Sequence, residues 1–189
     1  MNPTYQPYPA ARGQWVKVQD AAELATIMQQ LVTRLELFGR GSEIFAQAQM
    51  ALGLRSAEVI ERERWSTADP SQWWVRLAKG DQQRPINPAD LPAGFRLYVQ
   101  SRPGIWSWTY AAYLRDLQAT GLTFSVHNGE NATASHIFRY NRFRQLQAQG
   151  LSSAQVATLM QHRSKASTEH YLTDDIFYQD NGPAFNFRF

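Results

Sequence analysis

Apolar residues in this chain recur at helical spacing, in blocks that close on glycine, and that pattern points to a mostly helical domain. Leu24, Ile27, Met28, Leu31 and Leu35 follow one another at three- and four-residue steps. Asp20 precedes them as a candidate N-cap, and Gly39 stops the run. A second helix is predicted from Ser42 to about Leu52, broken by Gly53, and "SAEVIER" starts a short third. Helical pattern resumes from about Pro92, breaks at "SRPG" and returns in "SWTYAAYLRDLQATG". A further helix runs from about Thr133 to Ala148 with Gly150 as its stop. "SSAQVATLMQH" follows, where Ser152 and Gln155 form a plausible capping box.

Between Trp65 and Pro88 the pattern changes. "WWVRLA" and "RPIN" flank "KGDQQ", which reads as a two-stranded hairpin with Lys79-Gly80-Asp81 at its turn. "SVHNGENA" reads as a polar loop. Residues 1–20, with three prolines and a glycine, read as an irregular arm. The tail at 175–189 is aromatic and not helical in pattern. The expected fold class is therefore mainly α with one small antiparallel β-sheet, α+β.

With 189 residues, 43% of them hydrophobic, the chain can bury a substantial core. No run of 18 apolar residues suggests a membrane span, and the N-terminus lacks a basic-then-apolar signal pattern. Cysteine is absent, which excludes disulfides and thiolate metal sites. A cytoplasmic location is expected. The formal charge is +3, a mild bias toward anionic partners. Lysine occurs only at Lys17, Lys79 and Lys165 among nineteen basic residues; the rest are arginine, whose planar fork suits phosphate oxygens.

Five short stretches carry the chemistry: "GLRSAE" with Arg55 and Glu58, "LAKGD" with Lys79, "HIFR" with His136 and Arg139, "MQHRS" with His162, and "EHYL" with Tyr171. Taken singly, each fits an ordinary role. Arg55 can cap a helix, Glu58 can pair with it, Lys79 can sit in a solvated turn, and Tyr171 can pack. Together they match what phosphodiester cleavage by tyrosine demands. A phenol of pKa about 10 needs a base or electrostatic help. The phosphorane's charge suits guanidinium forks. The leaving 5′-oxygen needs a proton donor such as lysine.

On these motifs and their order, the chain resembles the tyrosine recombinase (lambda-integrase-like) family over about Ala21 to Thr173. "GLRSAE" is similar to the family's Gly-Leu-Arg-x-x-Glu stretch, "LAKGDQQR" to its Lys-bearing hairpin, and "HIFR" to its His-x-x-Arg box. "LMQHRSKASTEHYL" is similar to its His segment with Tyr nine positions on. The resemblance implies the family's catalytic-domain fold, with Tyr171 as nucleophile forming a 3′-phosphotyrosyl link. It further implies Arg55 and Arg139 as the phosphate clamp, Lys79 as general acid, His136 assisting proton transfer, His162 bonding the phosphate, and Glu58 orienting Arg55. Two departures stand out: Gln161 where the family usually has Gly, and Tyr140-Asn141 after the second Arg. The domain would span 21–174, without the core-binding domain of longer members, as in short members such as fimbrial-switch invertases.

The implied partner is double-stranded DNA, bound by a homo-oligomer, a tetramer on paired sites, with no metal or nucleotide cofactor and no membrane. Arg142, Arg84 and Arg163 are candidate phosphate contacts, as are Arg62, Arg64 and Arg76. The aromatic tail is a candidate for exchange between protomers or for packing on its own domain, and "FNFRF" could add a strand to a sheet edge. Competing readings are a type IB topoisomerase-like nicking-closing enzyme and a DNA-binding regulator on the same fold.

Overall fold

The computed structural model describes residues 13–101, 108–126, 130–162 and 165–184. Among them, eight α-helices and two small antiparallel sheets form a mixed α+β domain. None of these helices is long and apolar enough to cross a membrane.

Helix α1 (Ala21–Phe38) starts where predicted. The Asp20 carboxylate accepts the Glu23 amide at 2.8 Å. Gly39 closes it in the left-handed region, where a side chain would be strained. Its apolar stripe, Leu24, Ile27, Met28, Leu31 and Leu35, is completely buried. Helix α2 (Glu43–Leu52) and the short α3 (Ser56–Ile60) follow, with α4 (Ala93–Gln100) and α5 (Tyr110–Ala119) later in the chain. The "SRPG" break falls at 102–104, outside the described residues. Phe45 of α2 meets the edges of Tyr98 and Tyr113, at 4.8 and 5.5 Å between ring centroids.

Helix α6 (Ala134–Ala148) is the hub, packed on α1, α2, α5, α7 (Ser153–Leu159) and α8 (Lys165–Thr173). It is buried on most of its circumference, through Ile137, Phe138, Tyr140 and Phe143 and also through Arg139 and Asn141. A polar helix so placed must satisfy its charges internally, and that requirement builds the site below. The capping box of α7 forms as read, with Ser152 accepting the Gln155 amide and the Gln155 side chain accepting the Ser152 amide. Helix α8 was not legible in the sequence, because its residues show no apolar stripe.

Sheet content exceeds the expectation twice. The predicted hairpin forms as β3 (Trp73–Arg76) and β4 (Gln83–Ile86), but β2 (Trp65–Ser66) adds a third strand. A second sheet has the order β1 (Val16–Lys17), β7 (Ile176–Asp180), β5 (Leu122–Val126), β6 (Glu130–Ala132). The expected polar loop is thus largely a hairpin, with Ser125 and Val126 in β5 paired to β6. The expected irregular arm contributes a strand at Val16–Lys17. The first part of the aromatic tail is the strand β7, paired on both sides within its own chain. Its inward residues Ile176 and Tyr178 are buried. Strands of two to five residues from distant segments carry too little periodicity to be read in isolation. The stretch at 185–189 lies outside the described residues.

Candidate active site

Five of the six predicted catalytic residues line one cleft of about 550 Å³: Arg55, Lys79, His136, His162 and Tyr171. The sixth, Arg139, lies behind it, 3% exposed. His136 and Arg139, three apart on α6, share a face as their spacing implies.

Arg139 organises the centre. Its Nε donates to the Tyr171 hydroxyl at 3.1 Å and its Nη1 to the Gly53 carbonyl at 2.9 Å. Its Nη2 lies 3.1 Å from His162 Nε2. A guanidinium has no acceptor, so Nε2 must present its lone pair. The His162 proton then sits on Nδ1, which donates to Thr168 Oγ1 at 2.9 Å. In this arrangement His162 Nε2 faces Arg139. Tyr171, 4% exposed, stacks on Phe143 at 4.3 Å and meets the edge of Tyr140 at 4.8 Å. Packing fixes the ring while its oxygen remains at the cleft.

Gly53, which supplies that carbonyl, sits where a side chain is strained. Its φ is +67°, and a Cβ there would lie 2.7 Å from Met160 Cε and 3.0 Å from Arg142 Cβ. Gln49 holds the same loop. Its amide donates to the Leu54 carbonyl at 2.9 Å and to Ser135 Oγ at 3.1 Å, and its oxygen accepts Tyr113 OH at 2.6 Å.

Glu58 is buried and joins two site elements. Its Oε1 accepts the Arg55 amide at 2.8 Å and its Oε2 accepts the Ala78 amide at 2.9 Å. The Arg55 guanidinium is 3.7 Å from Oε2. One carboxylate thereby ties the start of α3 to the turn that carries Lys79, which is itself exposed.

His136 and His162 are held neutral. Burial first, then the charge of Arg139, lowers His136 and His162 to about 4. Burial and Arg139 also lower Arg55. Unfolded imidazoles titrate near 6.5. Between pH 6.5 and 4 the unfolded chain therefore binds protons that the folded chain does not, so stability falls as pH drops through that window. Thermal melts of the parent and of a His136→Gln, His162→Gln double variant are expected to show a weaker pH 4–6.5 slope in the variant.

The Gln161 departure is a backbone matter. Met160, Gln161 and His162 end α7 in a Schellman arrangement, with the His162 amide on the Ala157 carbonyl at 2.8 Å and that of Gln161 on Thr158 at 3.2 Å. Gln161 occupies the left-handed position at φ +57°, where glycine is the usual residue. Gln161→Gly removes side-chain strain of about 1–2 kcal/mol, offset by about 0.5–1 kcal/mol of glycine's backbone entropy. A net gain between zero and about 1.5 kcal/mol is expected in denaturant melts. The other departure is also structural. Tyr140 is buried, with its hydroxyl on Asp174 Oδ2 at 3.1 Å.

The arginines proposed for phosphate contact differ in their surroundings. Arg84 donates to the Leu52 carbonyl at the end of α2, at 2.8 Å. Burial, against the opposing charge of Glu58, pulls it down to about 10. Arg142 is half-buried, and its Nε has no hydrogen-bond partner. Arg62 donates to Ser101 Oγ at 2.6 Å, and Arg64 pairs with Glu61 at 2.5 Å. Arg76 stays exposed on β3. Arg163 lies outside the described residues.

Three contributors escaped the sequence reading. His170 lines the cleft beside Tyr171, with no sequence signal beyond adjacency. Arg144 donates to the Tyr171 carbonyl at 2.9 Å and to that of Asp174, fastening the end of α8. Its signal was the four-residue step from Tyr140. Gln49 stood out as a polar residue in register with apolar Phe45 and Leu52. Among the described residues no cluster of three or more His, Asp or Glu side chains could hold a metal ion. Comparison of the chain with known protein families, with curated proteins and with solved structures gives no match.

Proposed function

We propose that this protein is a site-specific DNA recombinase of the tyrosine type, cleaving and rejoining DNA through a covalent link at Tyr171. The observation that carries the reading is the Tyr171 hydroxyl, held by Arg139 at 3.1 Å and opening on a cleft that also presents Arg55, Lys79, His136 and His162. The Tyr171 oxygen attacks the scissile phosphorus. A P–O bond forms to tyrosine and the bond to the 5′-oxygen breaks. Arg55 and Arg139 stabilise the charge on the non-bridging oxygens. The phenol proton passes to neutral His136, whose basicity rises when the phosphate anion offsets the nearby cations. Lys79 gives a proton to the leaving 5′-oxygen. The reverse steps, with a new 5′-hydroxyl as nucleophile, reseal the strand.

The test is covalent capture on nicked fragments of DNA flanking the protein's own gene, with Tyr171→Phe in parallel. Parent protein is expected to give a denaturation-resistant DNA adduct and the variant none, while the variant melts within about 1–2 kcal/mol of the parent. Relaxation of supercoiled plasmid without a preferred site would favour the topoisomerase-like reading. DNA binding with no adduct would favour a regulator, since the Arg139–Tyr171–His162 set is internally satisfied without substrate. No DNA binding would overturn the reading.

A further inference from the structure

A buried hydroxyl backs the histidine of the cleft. Thr168 precedes Tyr171 by three residues on α8, so the two share a face of the helix. Thr168 is completely buried, and a buried hydroxyl needs a hydrogen-bond partner. Its Oγ1 lies 2.9 Å from His162 Nδ1, while His162 Nε2 lies 3.1 Å from Arg139 Nη2. The ring is held at both nitrogens. Without substrate this clamp has one proton arrangement: Arg139 only donates, so Nε2 accepts and Nδ1 carries the proton. That arrangement cannot serve a phosphate. A non-bridging oxygen only accepts, so it engages His162 only after Nε2 gains a proton. The ring then becomes either an imidazolium or the other neutral tautomer. Burial first, then Arg139, Arg55, His170 and Arg84, disfavours the charged ring. A phosphodiester brings a single negative charge, which Arg55 and Arg139 already share. The neutral route needs a group behind Nδ1 that can accept in one state and donate in the other. A carbonyl or a carboxylate only accepts, whereas a hydroxyl does both.

We propose, resting on the recombinase reading above, that Thr168 is a positioning residue for strand cleavage. Its hydroxyl accepts from His162 Nδ1 in the free protein and donates to Nδ1 when phosphate is bound, so that neutral His162 presents Nε2–H to a non-bridging oxygen. On binding, Arg139 Nη2 turns from Nε2 to the phosphate. Nε2 takes a proton from cleft water, Nδ1 returns one to water, and the Thr168 O–H rotates toward Nδ1. The charge of the ring does not change. Helix α8 then carries both the nucleophile and the group that sets the tautomer of its neighbour.

The test is nitrogen NMR of the histidine-labelled full chain at neutral pH, titrated with dimethyl phosphate, a monoanionic diester. The His162 signals are assigned by their loss in His162→Gln. The free protein is expected to carry the proton on Nδ1, and saturating diester to move it to Nε2 with the ring still neutral. An imidazolium in the complex, or a titration that leaves His162 unchanged, would overturn the proposal. Variants supply a second measurement on the nicked DNA fragments. Thr168→Val keeps the shape and removes the hydroxyl, and is expected to slow adduct formation about tenfold. Thr168→Ser keeps the hydroxyl and is expected to stay within about threefold of the parent. A merely structural role for Thr168 would change melting without moving the His162 proton. A valine variant that forms adduct at the parent rate would also overturn the proposal. Absence of adduct from the parent itself would reject the recombinase reading, while the diester titration still reports on the Thr168–His162 pair.

Discussion

Arg139→Lys is expected to slow covalent adduct formation by about 10²–10³-fold and to lower stability by about 1–3 kcal/mol. Both effects come from one geometry. The guanidinium reaches Tyr171 Oη, the Gly53 carbonyl and His162 Nε2 from three different nitrogens. An ammonium is a point donor on a flexible stem and cannot serve three acceptors in fixed directions. Under the proposed chemistry it would also present one donor where the phosphate needs a fork. At this chain length the stability loss corresponds to a fall of roughly 2–12 °C in Tm. Adduct time courses and thermal melts on the same samples separate the two effects. Tyr171→Phe loses the adduct with little change in melting, whereas Arg139→Lys loses in both. A lysine variant that forms adduct at the parent rate would sink the assigned role.

Arg34→Ala is expected to have the largest effect on the fold, about 3–5 kcal/mol, or roughly 6–20 °C in Tm. Arg34 and Asp180 form a bidentate pair at 2.9 and 2.7 Å, at most about 5% exposed, and Arg34 Nη1 also donates to the Thr120 carbonyl at 2.8 Å. Removing the arginine leaves a carboxylate in the interior without its counter-charge. The pair fastens α1 to β7, so its loss also loosens the strand at the centre of the second sheet. Burial opposes ionisation of Asp180, but hydrogen bonds from Arg34 and the Gly182 amide outweigh it and hold the carboxyl below its usual range. A depressed folded pKa contributes stability above the unfolded value of about 3.9. That contribution is lost as pH falls through the folded pKa. The parent is therefore expected to lose it only below about pH 4, a lower window than that of the histidines. An Arg34→Met, Asp180→Leu double variant that melts well above Arg34→Ala would attribute the loss to the stranded charge. Equal melting of the two variants would contradict that account.

Helices α1 to α7 were legible because their signals are local. Asp20 and Ser152 cap where the sequence says, and Gly39 and Gly53 terminate through the left-handed conformation that glycine adopts most freely. The hairpin turn with Lys79 was legible for the same reason. The second sheet was not. Its β1 has two residues and its β7 comes from a segment that reads as a tail, so pairing rather than periodicity defines them. The direction of the arginines was equally hidden. Arg84 and Arg139 read as groups facing phosphate, yet each also donates to a backbone carbonyl inside the fold, as do Arg34 and Arg144.

The sequence by itself determined which residue types are available for chemistry and their order, and it placed Glu58, His136 and Arg139 on helices and Lys79 at a turn, since these depend on neighbours a few positions away. Only the tertiary structure decided that Arg55, Lys79, His136, His162 and Tyr171 share one cleft, that Arg139 sits behind them, and that β7 is held in its own sheet. Those outcomes depend on which distant groups meet. They follow from the need to give every buried charge and backbone group a partner, a condition imposed by the whole fold and not by any one stretch.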